Sequence, residues 1–386
     1  MSRAWLLPEH FADILPARAL LVEQLRRDLL DLASRRGFEL VIPPLLEHLE
    51  SLLSGTGSEL DLQTFKLVDQ VSGRSLGLRA DMTPQVARID AHLLNRSGVA
   101  RLCYCGPVVH TLPAGLSASR ELLQFGAEIY GHAGVESEVE VLGLALDAVS
   151  RACPGPLTVD LADARVLRGI LAGVVLDAGR LQDLAGAVSR KDPQALMALS
   201  PDLDEATREA LLALLGLYGD GSVLARAAAL LPGRSLIRRA LEDLDRLGRQ
   251  LGTRSGVEVS FDLADMGGYG YYSGLKFTVY APCSSTALAR GGRYDEVGAI
   301  FGRNRPAVGF SLDVKAVAAC SAPVEPAAAI RAPSSDDPQL EAAVRQLRDA
   351  GHVVVCELPG EELAGGGRDF DRVLEHVSGR WILRSV

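Results

Sequence analysis

The chain has little positive charge and few cysteines for its 386 residues. It carries 40 Lys and Arg against 49 Asp and Glu, a formal net charge of −9, which argues against a general binder of nucleic-acid phosphates. Its six cysteines are irregularly spaced and do not form a disulfide framework. A reducing cytoplasm is therefore the expected compartment.

Long apolar runs and metal-ligand spacings are also missing from the sequence. No uninterrupted apolar stretch reaches the ~18 residues of a membrane span, and Trp5 is soon followed by Pro8, so no signal peptide is expected. The seven histidines show no zinc-like spacing, and Cys103 and Cys105 share one face of a predicted strand as structural residues. We expect no metal and no membrane partner.

Helical and strand patterns both occur in the first 320 residues. Leucines at helical spacing predict a helix from Pro16 to Gly37, and residues 38–44 read as a short buried strand. Further strands are predicted at residues 64–68, 75–79, 101–105, 123–130, 157–161, 257–262, 275–280 and 307–310. Together these patterns predict an α+β fold.

Two segments differ from this core. Residues 165–252 are rich in Ala, Leu and Arg and predict a helical insertion within a core of residues 1–320. Residues 321–386 predict a short C-terminal α/β segment, with helices at 338–350 and 369–378 and strands at 353–356 and 381–383. That segment is shorter than the ~100 residues of an ordinary domain.

A few polar side chains stand where chemistry is possible. Asp81 and Thr83 precede Pro84, and on their own they are an ordinary helix cap. Gln124 and Glu128 lie four residues apart on one strand, so they share a face. Burying an amide and a carboxylate together is costly unless both find partners. Glycines surround the pair Tyr271-Tyr272, which alone reads as a strand entry.

The order of the polar blocks resembles the catalytic core of histidyl-tRNA synthetase, a class II enzyme, over about residues 8–318. The blocks are Leu78–Gln85, Cys105–His110, Arg120–Gly131, Gly270–Tyr272 and Gly291–Asp295. The resemblance implies an antiparallel sheet flanked by helices. It also implies a homodimer formed through the family's first motif, which here includes residues 38–47.

The same resemblance implies a histidine site. By its motifs, Asp81 and Thr83 hold the α-amino group of the ligand, and Gln124 and Glu128 read the bound histidine. The pair Tyr271 and Tyr272 encloses the imidazole. These roles make chemical sense, because an ammonium pairs with a carboxylate and an imidazole N–H needs a buried acceptor.

The nucleotide half of that site departs from the family pattern. His110, Gly267 and Val314 stand where the synthetases carry arginines, and Leu112 replaces an acidic residue. Loss of one such charge-stabilising donor typically costs 10²–10³ in rate. We therefore expect no adenylate chemistry, no nucleotide cofactor and no tRNA. The remaining arginines, Arg120 and Arg293, are expected in structural ion pairs.

A synthetase-like core without an ATP site resembles the regulatory subunits of ATP phosphoribosyltransferase, and Leu78–Gln85 fits that family. The resemblance implies a non-catalytic protein that joins a short catalytic subunit in the first step of histidine biosynthesis and mediates inhibition by L-histidine. Three alternatives remain open at this stage. They are an active histidyl-tRNA synthetase, an ATP-dependent ligase for another substrate, and a scaffold without ligand.

Overall fold

A computed structural model describes residues 6–53, 57–115, 118–300, 302–323, 327–359 and 369–386. The chain forms two compact units. One comprises the residues up to Ile14 together with Leu21–Ala322, and the other comprises Leu15–Leu20 together with Pro323–Val386. No helix among the described residues is long and apolar enough to cross a membrane.

The longest helices are the first, the fifth and the eleventh in chain order. In chain order they are α1 (Pro16–Arg35), α2 (Leu49–Leu52), α3 (Gly57–Gln63), α4 (Thr83–Arg88), α5 (Glu136–Ser150), α6 (Ala164–Ile170), α7 (Ala178–Ser189), α8 (Pro193–Leu199), α9 (Glu205–Leu214), α10 (Ser222–Leu230), α11 (Ser235–Leu251), α12 (Val297–Ile300), α13 (Val314–Ala318) and α14 (Pro338–Asp349). A π-helical turn, Ile89–Leu94, continues α4.

The strands fall into three sheets. In chain order they are β1 (Glu39–Leu40), β2 (Leu46–His48), β3 (Phe65–Val68), β4 (Ser75–Leu78), β5 (Ala100–Val109), β6 (Glu121–Tyr130), β7 (Leu157–Asp163), β8 (Tyr218–Gly219), β9 (Val257–Asp262), β10 (Leu275–Tyr280), β11 (Ala289–Arg293), β12 (Ala307–Asp313), β13 (Ala329–Ala332), β14 (Val354–Cys356), β15 (Phe370–Val377) and β16 (Arg380–Ser385).

The large sheet has nine strands in the order β1-β5-β6-β12-β11-β10-β7-β9-β8. Its central pairs are antiparallel, and the pairs β1·β5 and β7·β9 are parallel. Helices pack on it through a continuous apolar core that includes Leu29 of α1 and Leu142 of α5. The predicted α+β fold with an antiparallel sheet flanked by helices is confirmed.

Alternation along β5 separates two environments. Cys103 belongs to the large core and Cys105 packs against it, as expected for side chains on one face. Tyr104 points the other way, into a second cluster with Met82 and Tyr294. Because successive strand residues face opposite sides, β5 brings a tyrosine hydroxyl to the face where the polar blocks meet.

The residues predicted as a buried strand, 38–44, are mostly exposed. Phe38 is buried, but the strand is only Glu39–Leu40, at the edge of the large sheet. Leu40 is 50% and Ile42 81% exposed. The prediction of a buried strand is wrong for the single chain, since β1 pairs on one side only and no described element covers it.

The region 165–252 is helical as predicted, from α6 through α11. One short strand, β8, interrupts it and pairs antiparallel with β9 at the end of the large sheet. Two residues carry too little periodicity to be recognised as a strand from sequence.

The C-terminal unit has one sheet in the order β14-β13-β15-β16, and α14 packs on it through Leu340 and Val344. The helix expected at 369–378 is wrong, because residues 370–377 form β15, and β13 is a strand that the sequence did not predict. The pairing β13·β15 is parallel and β15·β16 antiparallel. Cross-strand partners distant in sequence, such as Ile330 with Arg372, override the local pattern.

Candidate functional site

The polar blocks converge on one small cavity that is partly open to solvent. Five of the six predicted ligand residues line it, namely Asp81, Thr83, Glu128, Tyr271 and Tyr272. Gln124 instead lies behind Asp81. Its lining combines two carboxyl groups, a threonine hydroxyl and aromatic rings, which suits a small polar ligand.

Asp81 and Thr83 are held at the start of α4. The Asp81 carboxylate accepts hydrogen bonds from the Thr83 backbone N–H at 3.0 Å and from the Thr83 hydroxyl at 3.1 Å. Gln124 donates to the same Asp81 oxygen at 2.8 Å and accepts from the Met82 N–H at 2.9 Å. Gln124 therefore positions the carboxylate. The expected helix cap at Asp81 is displaced by one residue, because the N-cap of α4 is Met82 and has no side-chain cap bond.

Glu128 is the most deeply buried acid of the site, at 1% exposure. Its Oε1 accepts a hydrogen bond from the Tyr104 hydroxyl at 2.9 Å, and its Oε2 accepts one from the Tyr294 hydroxyl. Burial raises the pKa of Glu128 to about 8, against the opposing effect of those tyrosine hydrogen bonds. The carboxyl is thus poised to change its protonation state near neutral pH.

A chain of side-chain hydrogen bonds links the two acids. The Thr83 hydroxyl lies 3.0 Å from the Tyr104 hydroxyl, which in turn is hydrogen-bonded to Glu128. Asp81 at one end and Glu128 at the other are therefore fixed relative to each other by two intervening hydroxyls. The two hydroxyls carry two protons for three contacts, so all three contacts are hydrogen bonds only when Glu128 is protonated and donates to Tyr104.

Three tyrosines form the aromatic wall. The rings of Tyr271 and Tyr294 are stacked, with centroids 5.1 Å apart and planes inclined by 25°. Tyr272 meets Tyr271 edge to face at 5.2 Å. Gly268, in the left-handed region at φ +75°, sits with its Cβ position 3.1 Å from the Tyr272 ring. A side chain at residue 268 would be strained by the backbone and crowded by that ring.

A glycine also makes room for the buried acid. A Cβ on Gly309 of β12 would overlap the Glu128 carboxylate and lie 2.9 Å from the Ala127 carbonyl oxygen. β12 and β6 pair with Gly309 directly opposite Glu128. The glycine is therefore required for the carboxylate to occupy the pocket.

Sequence reasoning missed several lining residues. They are Arg290, Gly291, Tyr294, Gly309, Phe310 and Ser311. Tyr294 lay inside the quoted block Gly291–Asp295, and the alternation of β5 pointed Tyr104 away from the core face of Cys103. Arg290 had no sequence signal, because its place in the pocket depends on the pairing of β11 between β10 and β12.

The two retained arginines have structural partners. Arg293 forms a buried ion pair with Glu138 at 2.6 Å and a second with Asp295 at 3.2 Å, as expected. Arg120 differs from the expectation of an ion pair. Its guanidinium donates to the His110 carbonyl at 3.0 Å and lies about 5 Å from the centres of the Phe11 and Phe65 rings.

The positions where synthetases carry arginines are occupied in other ways. The His110 ring donates its Nε2–H to the Ala80 carbonyl at 2.9 Å. At Gly267, the Cβ position lies 3.0 Å from Nζ of Lys276, which is bound to Asp265 at 2.6 Å. The side chain of an arginine at position 267 would run into this ion pair. The local packing is therefore suited to a residue without a side chain.

Two family models match the sequence. Residues 10–317 match the model described as histidyl-tRNA synthetase, and residues 327–384 match that of the C-terminal domain of ATP phosphoribosyltransferase subunit HisZ. The ATP phosphoribosyltransferase regulatory subunit of Variovorax paradoxus is 57% identical over 385 residues, covering 99% of this chain and 100% of that protein.

Solved structures agree with this similarity. The ATP phosphoribosyltransferase regulatory subunit/histidyl-tRNA synthetase from Bacillus halodurans aligns with a TM-score of 0.81 at 26% identity, over 94% of this chain and 95% of that one. The ATP phosphoribosyltransferase (HisG:HisZ) complex from Thermotoga maritima aligns with a TM-score of 0.59 at 19% identity, over 78% and 98%. The latter likeness is one of fold.

Proposed function

The chain belongs to the family of ATP phosphoribosyltransferase regulatory subunits, and on that premise we propose that its pocket binds L-histidine. As a regulatory subunit it is not itself catalytic. The proposal concerns what the pocket senses and how the signal reaches the enzyme.

The buried carboxyl of Glu128 is the observation that carries the proposal. A cavity with a 1%-exposed acid between two tyrosine hydroxyls suits a ligand that brings an N–H donor on a flat ring. An imidazole against Tyr271 and Tyr272 has that shape and that donor. A purely apolar ligand would leave the carboxyl without a new partner, and desolvation would then oppose its binding.

The other end of the ligand finds matching charges. Asp81 and Thr83 offer acceptors for an α-ammonium group. Arg290 is the one cation among the described lining residues, and its side chain is exposed, so it can meet an α-carboxylate. Complementary charges on all three polar groups of histidine favour an amino acid over an amine or an acid alone.

The pocket is poorly equipped for ATP. His110 donates to a backbone carbonyl and Lys276 to Asp265, so neither cation-capable side chain is directed at a triphosphate. Adenylate formation needs cations to balance the charge that builds on the phosphates. We propose that the site takes neither ATP nor a tRNA-linked substrate, which separates it from a working synthetase.

The Thermotoga maritima relative is a complex of HisG with HisZ, and we place this chain with a catalytic phosphoribosyltransferase subunit of the short form in the cytoplasm. Histidine bound to the pocket can inhibit that partner only if it favours one state of the complex over another. A coupling free energy of about 1–3 kcal/mol would change catalytic-site affinity about 5- to 150-fold.

A homodimer is the proposed building block of that complex. Apolar side chains are exposed along the edge formed by residues 38–47, including Leu40, Ile42, Leu45 and Leu46. Four exposed large apolar side chains within seven residues of sequence favour a surface that a partner covers. Sedimentation velocity of the isolated chain should give a dimer, and Ile42→Asp should shift it towards monomer.

Calorimetric titration tests the ligand directly. Purified chain should bind L-histidine with micromolar affinity and show no heat with ATP, and Asp81→Asn should weaken histidine binding at least about tenfold, since it removes a charge-assisted contact. Binding of ATP, followed by histidine-dependent ATP–pyrophosphate exchange, would instead identify an active synthetase or ligase. Binding of neither ligand by the chain and its complex would leave a scaffold.

A further inference from the structure

Three cysteines from distant parts of the sequence meet on the core unit. Cys153 follows α5, Cys283 lies in the loop between β10 and β11, and Cys320 follows α13. Their sulfur atoms all lie within 4.8 Å of one another. Cys283 and Cys320 are joined by a disulfide, with Cα atoms 5.3 Å apart, inside the usual range for such bonds.

This pairing departs from the expectation of unpaired cysteines in a reducing cytoplasm. Sequence spacing gave no sign of it, because 37 residues separate the two partners. The backbone holds the group in place. The Cys320 N–H donates to the Val317 carbonyl at 3.1 Å, and the Cys153 N–H donates to the Val149 carbonyl at 3.1 Å. A hydrogen bond from the Ser321 hydroxyl to the Ala152 carbonyl, 2.6 Å long, ties the two segments together.

The three cysteines differ in their access to solvent. Cys283 is exposed, Cys320 is half-buried, and Cys153 is buried at 3% exposure. Burial raises the pKa of the Cys153 thiol to about 11, which keeps it protonated at neutral pH. A dissolved reagent therefore reaches the sulfur of Cys283 first, and the sulfurs of Cys320 and Cys153 are less accessible to it.

We propose that Cys283, Cys320 and Cys153 form a thiol–disulfide site that is oxidised by a small hydroperoxide. The Cys283 thiolate attacks the peroxide oxygen, the O–O bond breaks, and a sulfenic acid forms with release of water or alcohol. The Cys320 thiol then attacks that sulfur, the S–S bond forms, and the sulfenic oxygen leaves as water. Two electrons pass from the two thiols to one peroxide.

Cys153 gives the site a second pairing. Because its sulfur is near both partners, Cys153 can displace one sulfur of the disulfide by exchange through the small fraction of its thiol that ionises, without any further oxidant. This second pairing gives a specific expected result for a variant that lacks Cys320. When Cys320 is removed, the oxidised Cys283 should pair with Cys153.

Mapping the disulfides of the full chain tests whether Cys283 pairs with Cys153 in that variant. Reduced protein, freed of reductant, is treated with one equivalent of hydrogen peroxide, alkylated and analysed by peptide mass spectrometry. Wild type should lose two thiols and give the Cys283–Cys320 crosslink, whereas Cys320→Ser should give Cys153–Cys283. Cys356→Ser, which removes a half-buried cysteine of the other unit, is the matched control and should leave the crosslink unchanged.

A second variant keeps the test informative if Cys320→Ser does not fold. Cys283→Ala changes an exposed position, and oxidation of the remaining pair should slow at least about tenfold because the accessible thiolate is gone. Circular dichroism compares each variant with the wild type.

Three results would overturn the proposal. Peroxide could leave all six thiols alkylatable, or Cys320→Ser could carry Cys283 only to sulfinic acid or to crosslinks between chains. In the third, one equivalent of added Zn²⁺ would stay bound and shield all three thiols from alkylation. That outcome would make the cluster a thiolate metal site.

Discussion

Replacing Glu128 by glutamine tests the proposed histidine site most sharply, because it removes a charge and keeps the shape of the side chain. The carboxyl is buried at 1% exposure and accepts hydrogen bonds from Tyr104 and Tyr294. With its pKa raised to about 8 by burial, it holds its proton in about nine molecules of ten at pH 7. The difference in histidine affinity between the wild type and Glu128→Gln must therefore depend on pH.

The size of the effect follows from two free energies. A hydrogen bond to a charged group contributes about 1.5–3 kcal/mol. At pH 7, one unit below its pKa, ionising Glu128 first costs about 1.4 kcal/mol. Glu128→Gln should then weaken histidine binding by at most about 1.6 kcal/mol, or about 15-fold, at pH 7. At pH 8.5 the loss should reach about 10- to 150-fold.

Calorimetric titration with L-histidine at pH 6.5, 7.5 and 8.5 measures this directly. Repeating it in two buffers of different ionisation enthalpy should show that the wild type releases a proton on binding near pH 7.5 and that Glu128→Gln does not. In the reconstituted complex, histidine inhibition should weaken by the same factor while assembly is unchanged. Glu258→Gln, at an exposed strand position, is the control.

Two outcomes would refute this reasoning. A loss of affinity that is the same at all three pH values would show that Glu128 binds histidine without changing its protonation state. Unchanged affinity in Glu128→Gln at pH 8.5 would remove Glu128 from the ligand site altogether.

Two further predictions follow from the same buried acid. Without ligand, the raised pKa means that the folded state holds a proton the unfolded chain releases, so stability in urea should fall between about pH 4.5 and 8; Glu128→Gln should flatten this part of the profile, and an unchanged slope would contradict the raised pKa. Gly309→Ala should displace the Glu128 carboxylate, cost about 1–3 kcal/mol of stability by overpacking and lower histidine affinity. Gly98→Ala, whose Cβ would meet nothing within 4 Å, should do neither.

Local patterns identified most elements of the core. The leucines of α1 recur at helical spacing, the residues of β5 alternate as in a strand, and the region from α6 to α11 is rich in the helix-forming residues Ala, Leu and Arg. The secondary-structure predictions failed where pairing between strands that are distant in sequence determines the structure. Residues 370–377 are β15 because they pair with β13 and β16, and no local signal distinguishes that from a helix.

The residues of the site likewise fall into those that the sequence identified and those that only strand pairing brings to the cavity. The sequence blocks named five of the residues that line the cavity, because each block keeps the residue types of the family motif that it resembles. Arg290, Phe310 and Ser311 enter the pocket only through the antiparallel pairing of β11 and β12. Gln124 was expected to contact ligand, and its observed bonds go to Asp81 and Met82.

By itself, the sequence determined the chemistry available to this protein: the acids, the tyrosine pair and the lost arginines are fixed by residue type and order. Only the tertiary structure decided the environment of those groups. The pKa of Glu128 is raised because strands β5, β6 and β12 and the tyrosines enclose it, and three cysteines far apart in sequence meet because the chain folds back on itself. Burial and proximity are properties of the packed chain, and no single segment contains them.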